Sequence, residues 1–318
     1  MIRPYDIEAD WSLMTTCNFR CAYCFHSDRL LGAKIDPPAP AEQLAKFFDD
    51  SGLRWNLHLT GGEPFHYPHF LELCRLLTKN HLISINSNVD SPKVLQFVQT
   101  INPDDVDFIN CAVHLQQRTQ RKRLPQFIEH VRALRTAGFD AYVTSVMYPE
   151  VFPLFLAHWD ELSANGVMPW PKAFRGDYDG KRYPAAYTDD ERAFFVEYSK
   201  RAEIFYQDQF SLRDDRPTID PMIDREVFLQ GIPRFRDRKC SAGYDLVRIN
   251  GRGDIYRCGS QTKLGNIVTG EFQRMAPLTR CNDHFCPYYC TKYSIAPPKP
   301  KTETVSLPAS PIIELRPV

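Results

Sequence analysis

Short apolar runs alternate with helical patterns along the first 200 residues of the chain. Six runs have the length and composition of strands, and a helical pattern follows each of them. The strand candidates are DWSLMTT, WNLHLTG, LISINSN, VDFINCAVH, AYVTSVMY and GVMPWPKAF. This succession predicts an α/β fold with a parallel sheet curled into a barrel or part-barrel, whose functional loops lie at the C-terminal ends of the strands.

The helical patterns place apolar residues on one face. AEQLAKFFDDSG puts Leu44, Phe47 and Phe48 on the same side and reaches a plausible C-terminal stop at Gly52. The sequence TDDE, which begins at Thr188, is a capping-box pattern before the helix candidate RAFFVEYSKRAEIFYQ.

The alternation stops near residue 210, where the chain becomes polar and proline-containing. LVRINGRGDIYRC then shows two β-like runs joined across Asn250 and Gly251, which predicts a hairpin. After Cys290 the chain is rich in proline and low in apolar residues, so we expect a surface-packed or disordered tail. The predicted divisions are a barrel (1–210), a linker (211–235), a small cysteine-rich domain (236–292) and the tail (293–318).

Composition narrows the class of protein. A hydrophobic content of 43% in 318 residues supports a sizeable core, and a formal net charge of +0 argues against nucleic acid as a partner. The longest apolar stretches are strand-sized, too short for a membrane span. The N-terminal MIRPYDIEADWS lacks the pattern of a secretory signal, so we expect a cytoplasmic protein.

The ten cysteines are unevenly distributed. Cys74 lies on an apolar helical face and Cys111 within a strand candidate, so both are expected in the core. In a reducing compartment the remainder should be thiols or metal ligands. They form two groups, the first with Cys17, Cys21 and Cys24 and the second with Cys240, Cys258, Cys281, Cys286 and Cys290. This distribution predicts two metal sites at opposite ends of a scaffold.

The first group lies in CNFRCAYC, directly after the first strand candidate. Three thiolates in one loop can hold three corners of an iron–sulfur cluster and leave the fourth iron open to a small ligand. A zinc site or reactive thiols are the alternatives.

A second motif, LTGGEPFHYP, ends the second strand candidate. Gly61 and Gly62 would let the backbone approach a ligand closely, and Glu63 could offer negative charge to a cationic amine. The alternative is an ordinary tight turn between strand and helix.

Together the two motifs resemble those of the radical S-adenosylmethionine enzymes, over roughly residues 10–200. The resemblance implies a partial (βα)6 TIM-like barrel and a [4Fe–4S] cluster on Cys17, Cys21 and Cys24. It also implies that the open iron chelates the amino and carboxylate groups of S-adenosylmethionine. Reductive cleavage of that cofactor would give a 5′-deoxyadenosyl radical that abstracts hydrogen from a substrate.

The resemblance also assigns cofactor contacts. The stretch from Gly61 to Pro64 (Gly61, Gly62, Glu63 and Pro64) would lie against the methionyl amino group, and Tyr23 would lie near the adenine. Ser87 and Asn88 match a Thr-Asn-Gly-like stretch near the ribose, although Val89 replaces the glycine. Ser145 is a candidate contact for the methionyl carboxylate or the ribose.

The C-terminal cysteines resemble the SPASM domain, or its shorter twitch form. CSAGYDLVRINGRGDIYRC is followed by LGNI and then by CNDHFCPYYC. The full family pattern has seven cysteines and two auxiliary clusters, whereas this chain has five. We therefore expect one auxiliary [4Fe–4S] cluster held by Cys240, Cys258, Cys286 and Cys290, with Cys281 as the surplus or alternative ligand.

Other arrangements stay open for the second cysteine group. The site could keep one iron for a substrate ligand, or a second cluster could be incompletely ligated. Four of the cysteines could instead hold zinc in a ribbon.

FRGDYDGKRYP follows the sixth strand candidate and should border the mouth of the active site. Its Arg175, Asp177, Tyr178 and Lys181 are candidates for substrate recognition or acid–base chemistry, and a solvated loop is the alternative. His114, in the fourth strand candidate, is a possible substrate contact or an ordinary interior histidine.

The resemblance implies an oxidoreductase of a biosynthetic pathway that takes its electron from a flavodoxin or ferredoxin. A small molecule such as a sugar-like alcohol is favoured, because the first strand begins near residue 11 and leaves no room for a leader-peptide domain. The alternatives are a radical maturase of a ribosomal peptide or protein and a non-catalytic iron–sulfur or zinc scaffold.

Overall fold

The computed structural model describes residues 5–210, 236–237, 239–258 and 262–281. Six parallel strands, adjacent in chain order, make up one side of a ten-stranded sheet, and the last of them is an edge strand. They are β1 (Ile7–Met14), β2 (Trp55–Gly61), β3 (Leu82–Ser87), β4 (Val106–Ala112), β5 (Ala141–Met147) and β6 (Pro169–Ala173). The predicted six-unit α/β architecture, like a partial TIM barrel, is confirmed.

Eight α-helices accompany these strands in the described part of the chain. They are α1 (Asp28–Leu31), α2 (Ala41–Asp50), α3 (Phe70–Leu77), α4 (Lys93–Thr100), α5 (Leu115–Arg121), α6 (Leu124–Thr136), α7 (Val151–Ala164) and α8 (Asp189–Phe210). Helix α2 buries Leu44, Phe47 and Phe48, as its pattern predicts. None of the helices searched in the described residues is long and apolar enough to cross a membrane.

The two faces of the sheet differ in polarity. On β1, Ile7 and Trp11 belong to the main hydrophobic core, whereas the alternating positions carry polar side chains such as Asp10. Neighbouring strands continue this polar face, which carries a chain of hydrogen bonds. Thr144 Oγ1 donates to Asn110 Oδ1 (2.8 Å), Asn110 Nδ2 to Asn86 Oδ1 (3.0 Å) and Asn86 Nδ2 to Thr60 Oγ1 (3.4 Å). We call this chain the polar ladder.

Further short strands complete the described structure. After β6 come β7 (Gly176–Tyr178) and β8 (Lys181–Tyr183), which form a separate hairpin. Six strands lie in the C-terminal part: β9 (Lys239–Cys240), β10 (Leu246–Ile249), β11 (Asp254–Tyr256), β12 (Lys263–Asn266), β13 (Glu271–Phe272) and β14 (Thr279–Arg280). Strands β10 and β11 pair antiparallel, which confirms the hairpin predicted across Asn250 and Gly251.

The C-terminal hairpin belongs to the same sheet as the barrel. Strand β10 runs parallel to β1, with Glu8 opposite Leu246 and Trp11 opposite Ile249. Val247 and Ile249 are fully buried in the barrel's own core. The division into a barrel and a smaller domain stays a prediction, and residues 211–235 and 282–318, which include the linker and the tail, lie outside the described residues.

The parallel pairing places the two cysteine groups at opposite ends of the sheet. Cys17 follows the C-terminal end of β1, whereas Cys240 precedes the N-terminal end of β10. At about 3.3 Å per residue, the stretch of β1 from Glu8 to Met14 alone spans about 20 Å. Strand β1 therefore lies between the two groups, with one after its C-terminal end and the other before the N-terminal end of its neighbour β10.

Candidate active site

The first cysteine group lies on the loop between β1 and α1. The Cys17 N–H donates to Leu31 O (2.9 Å), and Arg20 Nη1 donates to Cys17 O (2.7 Å), so the backbone at the first cysteine is held by protein contacts on both its N–H and its C=O. All three cysteines are half-buried. Burial raises the pKa of Cys17 to about 11 and that of Cys21 to about 12. Their thiolates therefore need a compensating cation, and an iron–sulfur cluster would provide it.

The donor set fits a cluster that leaves one iron open, since a single loop offers three sulfurs. Within the described residues, no three histidine, cysteine, aspartate or glutamate side chains are grouped as a single metal ion requires. The Phe19 N–H lies 3.4 Å from Cys17 Sγ and Asn88 Nδ2 lies 3.9 Å from it. These N–H groups are the kind of donor that sets the potential of a cluster through its sulfurs.

The glycine pair lets the end of β2 lie against the backbone that leads into the cysteine loop. The N–H of Gly62 donates to Met14 O (2.8 Å) and that of Glu63 to Thr16 O (2.9 Å). A Cβ on Gly62 would lie 1.9 Å from Thr16 O. The close approach expected toward a ligand is made, for Gly62, to the backbone of Thr15 and Thr16, just after β1. A ligand contact by this segment stays a prediction.

The carboxylate of Glu63 is fully buried and engaged by the protein. Its Oε1 accepts from Phe65 N (3.1 Å) and Ser87 Oγ (2.6 Å), and its Oε2 accepts from Asn88 N (2.7 Å). Burial raises its pKa to about 7, although these hydrogen bonds oppose the shift. Its oxygens thus tie the end of β2 to the end of β3, and the contact of Glu63 with a cationic amine stays a prediction.

The segment Ser87, Asn88 and Val89 keeps a glycine-like turn despite the valine. Val89 has a φ of 48°, in the left-handed region that glycine adopts without cost, and its side chain is fully buried. Asn88 Nδ2 donates to Asn18 Oδ1 (2.8 Å), so this turn contacts the cysteine loop directly. The assignment of the segment to the ribose stays a prediction.

A buried ion pair behind the cysteine loop was missed by the sequence analysis. Arg118 Nη1 donates to Asp90 Oδ1 (2.6 Å), while Arg123 Nη1 (2.7 Å) and Asn18 Nδ2 (2.8 Å) donate to Asp90 Oδ2. Arg118 is fully buried, donates to Asn88 O and lies over the ring of Phe19. We call Asn18, Asp90, Arg118 and Arg123 the Asp90 brace.

Three predicted site residues share one small cavity with a cluster cysteine. Tyr23 Oη lies 2.5 Å from His114 Nδ1, and Cys21 Sγ lies 3.3 Å from the same nitrogen. Ser145 lines the cavity beside them, together with Tyr148. Burial lowers the pKa of His114 to about 3, so the imidazole is neutral at ordinary pH. The cofactor roles of Tyr23 and Ser145 and the substrate role of His114 stay predictions.

The loop after β6 contributes unequally to this region. The ring of Tyr178 packs 5.4 Å from that of Tyr148, which in turn packs 4.9 Å from Tyr23. Asp177 forms an exposed ion pair with Arg182 (2.6 Å). Lys181 is exposed and Arg175 is half-buried. Of the four candidates, Tyr178 is therefore linked by aromatic packing to the cysteine loop.

Three cysteines of the second group are buried together. The side chains of Cys240, Cys258 and Cys281 pack with Ala242 in one small hydrophobic core. Strand β14 contributes to this packing because it pairs with β9 and places Thr279 opposite Cys240. The structure thus groups Cys281, which the sequence analysis set aside as surplus, with the two cysteines it retained. Cys286 and Cys290 lie outside the described residues, so their assignment stays a prediction. Cys74 and Cys111 are fully buried in the core, as expected.

Comparisons with known proteins agree with the class that the fold and the cysteine loop define. Residues 11–152 match the family model of the Radical SAM superfamily. These residues therefore form a radical SAM domain, of the class that binds a [4Fe–4S] cluster and S-adenosylmethionine.

Particular relatives are more distant. The GTP 3′,8-cyclase of Ectopseudomonas mendocina is 27% identical over 138 residues, which is 41% of each chain. That of Rhodopseudomonas palustris is 24% identical over 179 residues, 54% of this chain and 51% of the relative. The chain thus matches about half, or less, of the length of these curated relatives.

Solved structures show the same fold at low identity. The structure of anSMEcpe with bound AdoMet has a TM-score of 0.54 and 14% identity, covering 85% of this chain and 79% of that one. Streptococcus suis SuiB has a TM-score of 0.51 and 14% identity, covering 82% of this chain and 63% of that one. At this identity the likeness concerns the fold alone.

Proposed function

We propose that the chain is a radical S-adenosylmethionine oxidoreductase. The observation that carries the proposal is the loop with three half-buried cysteines, which the ends of β2 and β3 hold in place. When bound, the cluster and S-adenosylmethionine supply a 5′-deoxyadenosyl radical after transfer of one electron, and the radical takes hydrogen from the substrate.

The chain's own residues hold and enclose these groups. Cys17, Cys21 and Cys24 would each bind one iron. The N–H of Gly62 donates to Met14 O and so holds the backbone that leads into the loop. The Asp90 brace holds Asn18 between the first two cysteines. Neutral His114 orients Tyr23 beside Cys21, where the aromatic group formed with Tyr148 excludes water.

A polar substrate fits the face of the sheet between the two cysteine groups. The polar ladder from Thr144 to Thr60 fixes the orientation of two carboxamides, and His58 Nδ1 lies 2.8 Å from Ser84 Oγ on the same face. Oriented donors and acceptors of this kind suit a hydroxylated small molecule. We therefore retain the small-molecule assignment as the first candidate.

We further propose one auxiliary [4Fe–4S] cluster in the C-terminal part. The burial of Cys240, Cys258 and Cys281 in one cluster supports these three as ligands, with Cys286 or Cys290 as the fourth. With four protein ligands the cluster would accept the electron left after hydrogen abstraction, whereas with only three it would bind the substrate through an open iron. The thiols require a reducing compartment, so we place the chain in the cytoplasm.

A peptide maturase is the second candidate. Among the structural neighbours, SuiB is described bound to precursor peptide SuiA, and anSMEcpe with Kp18Cys peptide. The curated relatives, by contrast, are named as cyclases of GTP, a small molecule. A non-catalytic scaffold is disfavoured by the intact cysteine loop and its braced surroundings.

Anaerobic reconstitution followed by dithionite reduction tests the proposal. The chain should convert S-adenosylmethionine to methionine and 5′-deoxyadenosine, whereas Cys21→Ala should not. Two cubanes predict about eight irons per chain, and Cys240→Ala/Cys258→Ala should leave about four. Failure of the parent chain to form 5′-deoxyadenosine under these conditions would refute the proposal. Deuterium transfer from labelled metabolites or peptides into 5′-deoxyadenosine would then separate the two candidate substrates.

A further inference from the structure

Basic residues are concentrated around the first cysteine loop, although the whole chain carries no net charge. In the stretches 15–36 and 115–123 the acidic residues are Asp28 and Asp36 alone. Six basic residues of the same stretches are exposed: Arg20, Arg29, Lys34, Arg121, Lys122 and Arg123. Three of the six form ion pairs, Arg20 with Asp28, Lys34 with Asp36 and Arg123 with Asp90. We call these six the basic rim. These two stretches therefore carry an excess of positive charge beside the first cysteine loop.

The structure holds both stretches against the cysteine loop. On one side, Cys17 N donates to Leu31 O (2.9 Å) in α1. On the other, the Arg20 N–H donates to Gln117 Oε1 (3.2 Å) and Gln117 Nε2 donates back to Arg20 O (3.0 Å). Arg121 lies over the ring of Phe19, 5.0 Å from its centroid. The basic rim therefore flanks the cysteines on two sides.

An exposed aromatic side chain lies within this rim. Phe25 directly follows Cys24 and is 88% exposed, and Leu30 in α1 is 45% exposed. Large apolar side chains at such exposure lose hydration favourably when a partner covers them. Aromatic anchors surrounded by polar and charged residues are characteristic of protein–protein interfaces.

We propose that the basic rim and Phe25 form the docking surface for an acidic one-electron carrier protein. This inference rests on the proposed function, which consumes one electron in each cleavage of S-adenosylmethionine. The carrier loses one electron and the cluster gains one, with no proton or bond exchanged between the two proteins. A carrier of opposite charge would be steered to the rim, and Phe25 would be covered in the complex, close to the cysteines.

Charge reversal at the rim separates docking from catalysis. Arg121→Glu/Lys122→Glu changes two exposed residues beside the loop, and Arg75→Glu/Lys79→Glu makes the same change in charge at the end of α3 that leads into β3. Each reconstituted protein is mixed with the hydroquinone of an acidic flavodoxin, and the bleaching of cluster absorbance is followed by stopped flow. Parallel reductions use dithionite.

We expect the rim variant to be reduced by flavodoxin at least tenfold more slowly at low ionic strength. The difference should shrink as salt is raised, since exposed charges are screened. Reduction by dithionite and the resulting yield of 5′-deoxyadenosine should stay within twofold of the parent, and the α3 variant should match the parent throughout. Phe25→Ala should slow reduction by flavodoxin several-fold and leave the rate of reduction by dithionite unchanged.

Three results would overturn the docking surface. The first is that flavodoxin reduces the rim variant as fast as the parent. The second is that reduction by dithionite slows by the same factor as reduction by flavodoxin. The third is that the rim binds single-stranded DNA in preference to flavodoxin. A parent protein that neither bleaches nor cleaves S-adenosylmethionine with dithionite refutes the proposed function itself. The reaction with dithionite therefore distinguishes failure of the docking surface from failure of the proposed function.

Discussion

Gly62 lies where the end of β2 meets the backbone that enters the cysteine loop. A Cβ at this position would meet Thr16 O at 1.9 Å, and both partners in the clash are backbone. We therefore expect Gly62→Ala to push the cysteine loop away and to leave less than half of the first cluster bound. Iron content and cluster absorbance after anaerobic reconstitution measure the effect.

Gly32 offers a matched control for this substitution. It also lies near the cysteine loop, but a Cβ there has its nearest contacts at 3.5 Å, which is ordinary packing distance. Gly32→Ala should bind iron like the parent. Equal iron in the Gly62→Ala protein would show that the glycine is not needed for close approach.

At the residue scale the sequence reveals motifs whose members are close along the chain. CNFRCAYC and GGEP each place their functional residues within a few positions, so local spacing was enough to find them. Asp90 and Arg118 lie in polar stretches, DSPK and QQRTQRKR, that look like solvated surface. Their burial depends on tertiary packing between β3 and α5, and no local pattern encodes it.

The Asp90 brace joins several elements at one carboxylate. Asp90 follows β3, Arg118 lies in α5, Arg123 precedes α6, and Asn18 belongs to the cysteine loop. Removing the carboxylate by Asp90→Ala leaves the buried Arg118 charge without its ion-pair partner. We expect the free energy of unfolding to fall by about 3–5 kcal/mol, as measured by urea denaturation.

Arg123→Ala provides the comparison for the brace. Arg123 contacts the other oxygen of Asp90, but its side chain is 48% exposed, so water can replace it. A loss below about 1 kcal/mol is expected for such a pair. Similar losses in the two variants would contradict the view that the buried charge of Arg118 dominates.

At the element scale, hydrophobic periodicity gives the strands and long helices of the barrel. The predicted runs WNLHLTG and AYVTSVMY coincide with β2 and β5 nearly residue for residue. Helix α5 was missed, because LQQRTQR has one apolar residue and no repeating apolar face. Its helical state is stabilised by contacts such as that of Gln117 with the cysteine loop, which lie outside the helix itself.

Across the whole molecule, β10 extends the barrel sheet beyond β1. Ile249 is fully buried in the core that also contains Trp11 and Trp55. Ile249→Ala should therefore lower the unfolding free energy reported by the barrel tryptophans, by about 2–5 kcal/mol. Fluorescence during urea denaturation measures it.

Arg252→Ala, at an exposed position in the same hairpin, is the control and should leave that transition unchanged. A barrel transition that is unaffected by Ile249→Ala would indicate that the hairpin unfolds on its own.

The partner of β10 could not be predicted from the sequence. The pattern of LVRI predicts a buried strand, but strand periodicity does not say which edge the strand joins. The sequence instead suggested a separate small domain, since polar residues and prolines intervene after residue 210. The pairing with β1 also explains how one sheet separates two cysteine groups that lie far apart in the chain.

The β1–β10 pairing has a consequence for the newly synthesised chain. About 230 residues separate Met14 from Leu246, so at about 5–20 residues per second the outer edge of β1 waits roughly 12–46 seconds for its partner. An unpaired strand edge is a template for association with other chains. The ribosome-bound barrel is thus exposed to aggregation until its last sheet strands emerge, and chaperones that cover strand edges should act on it during that interval.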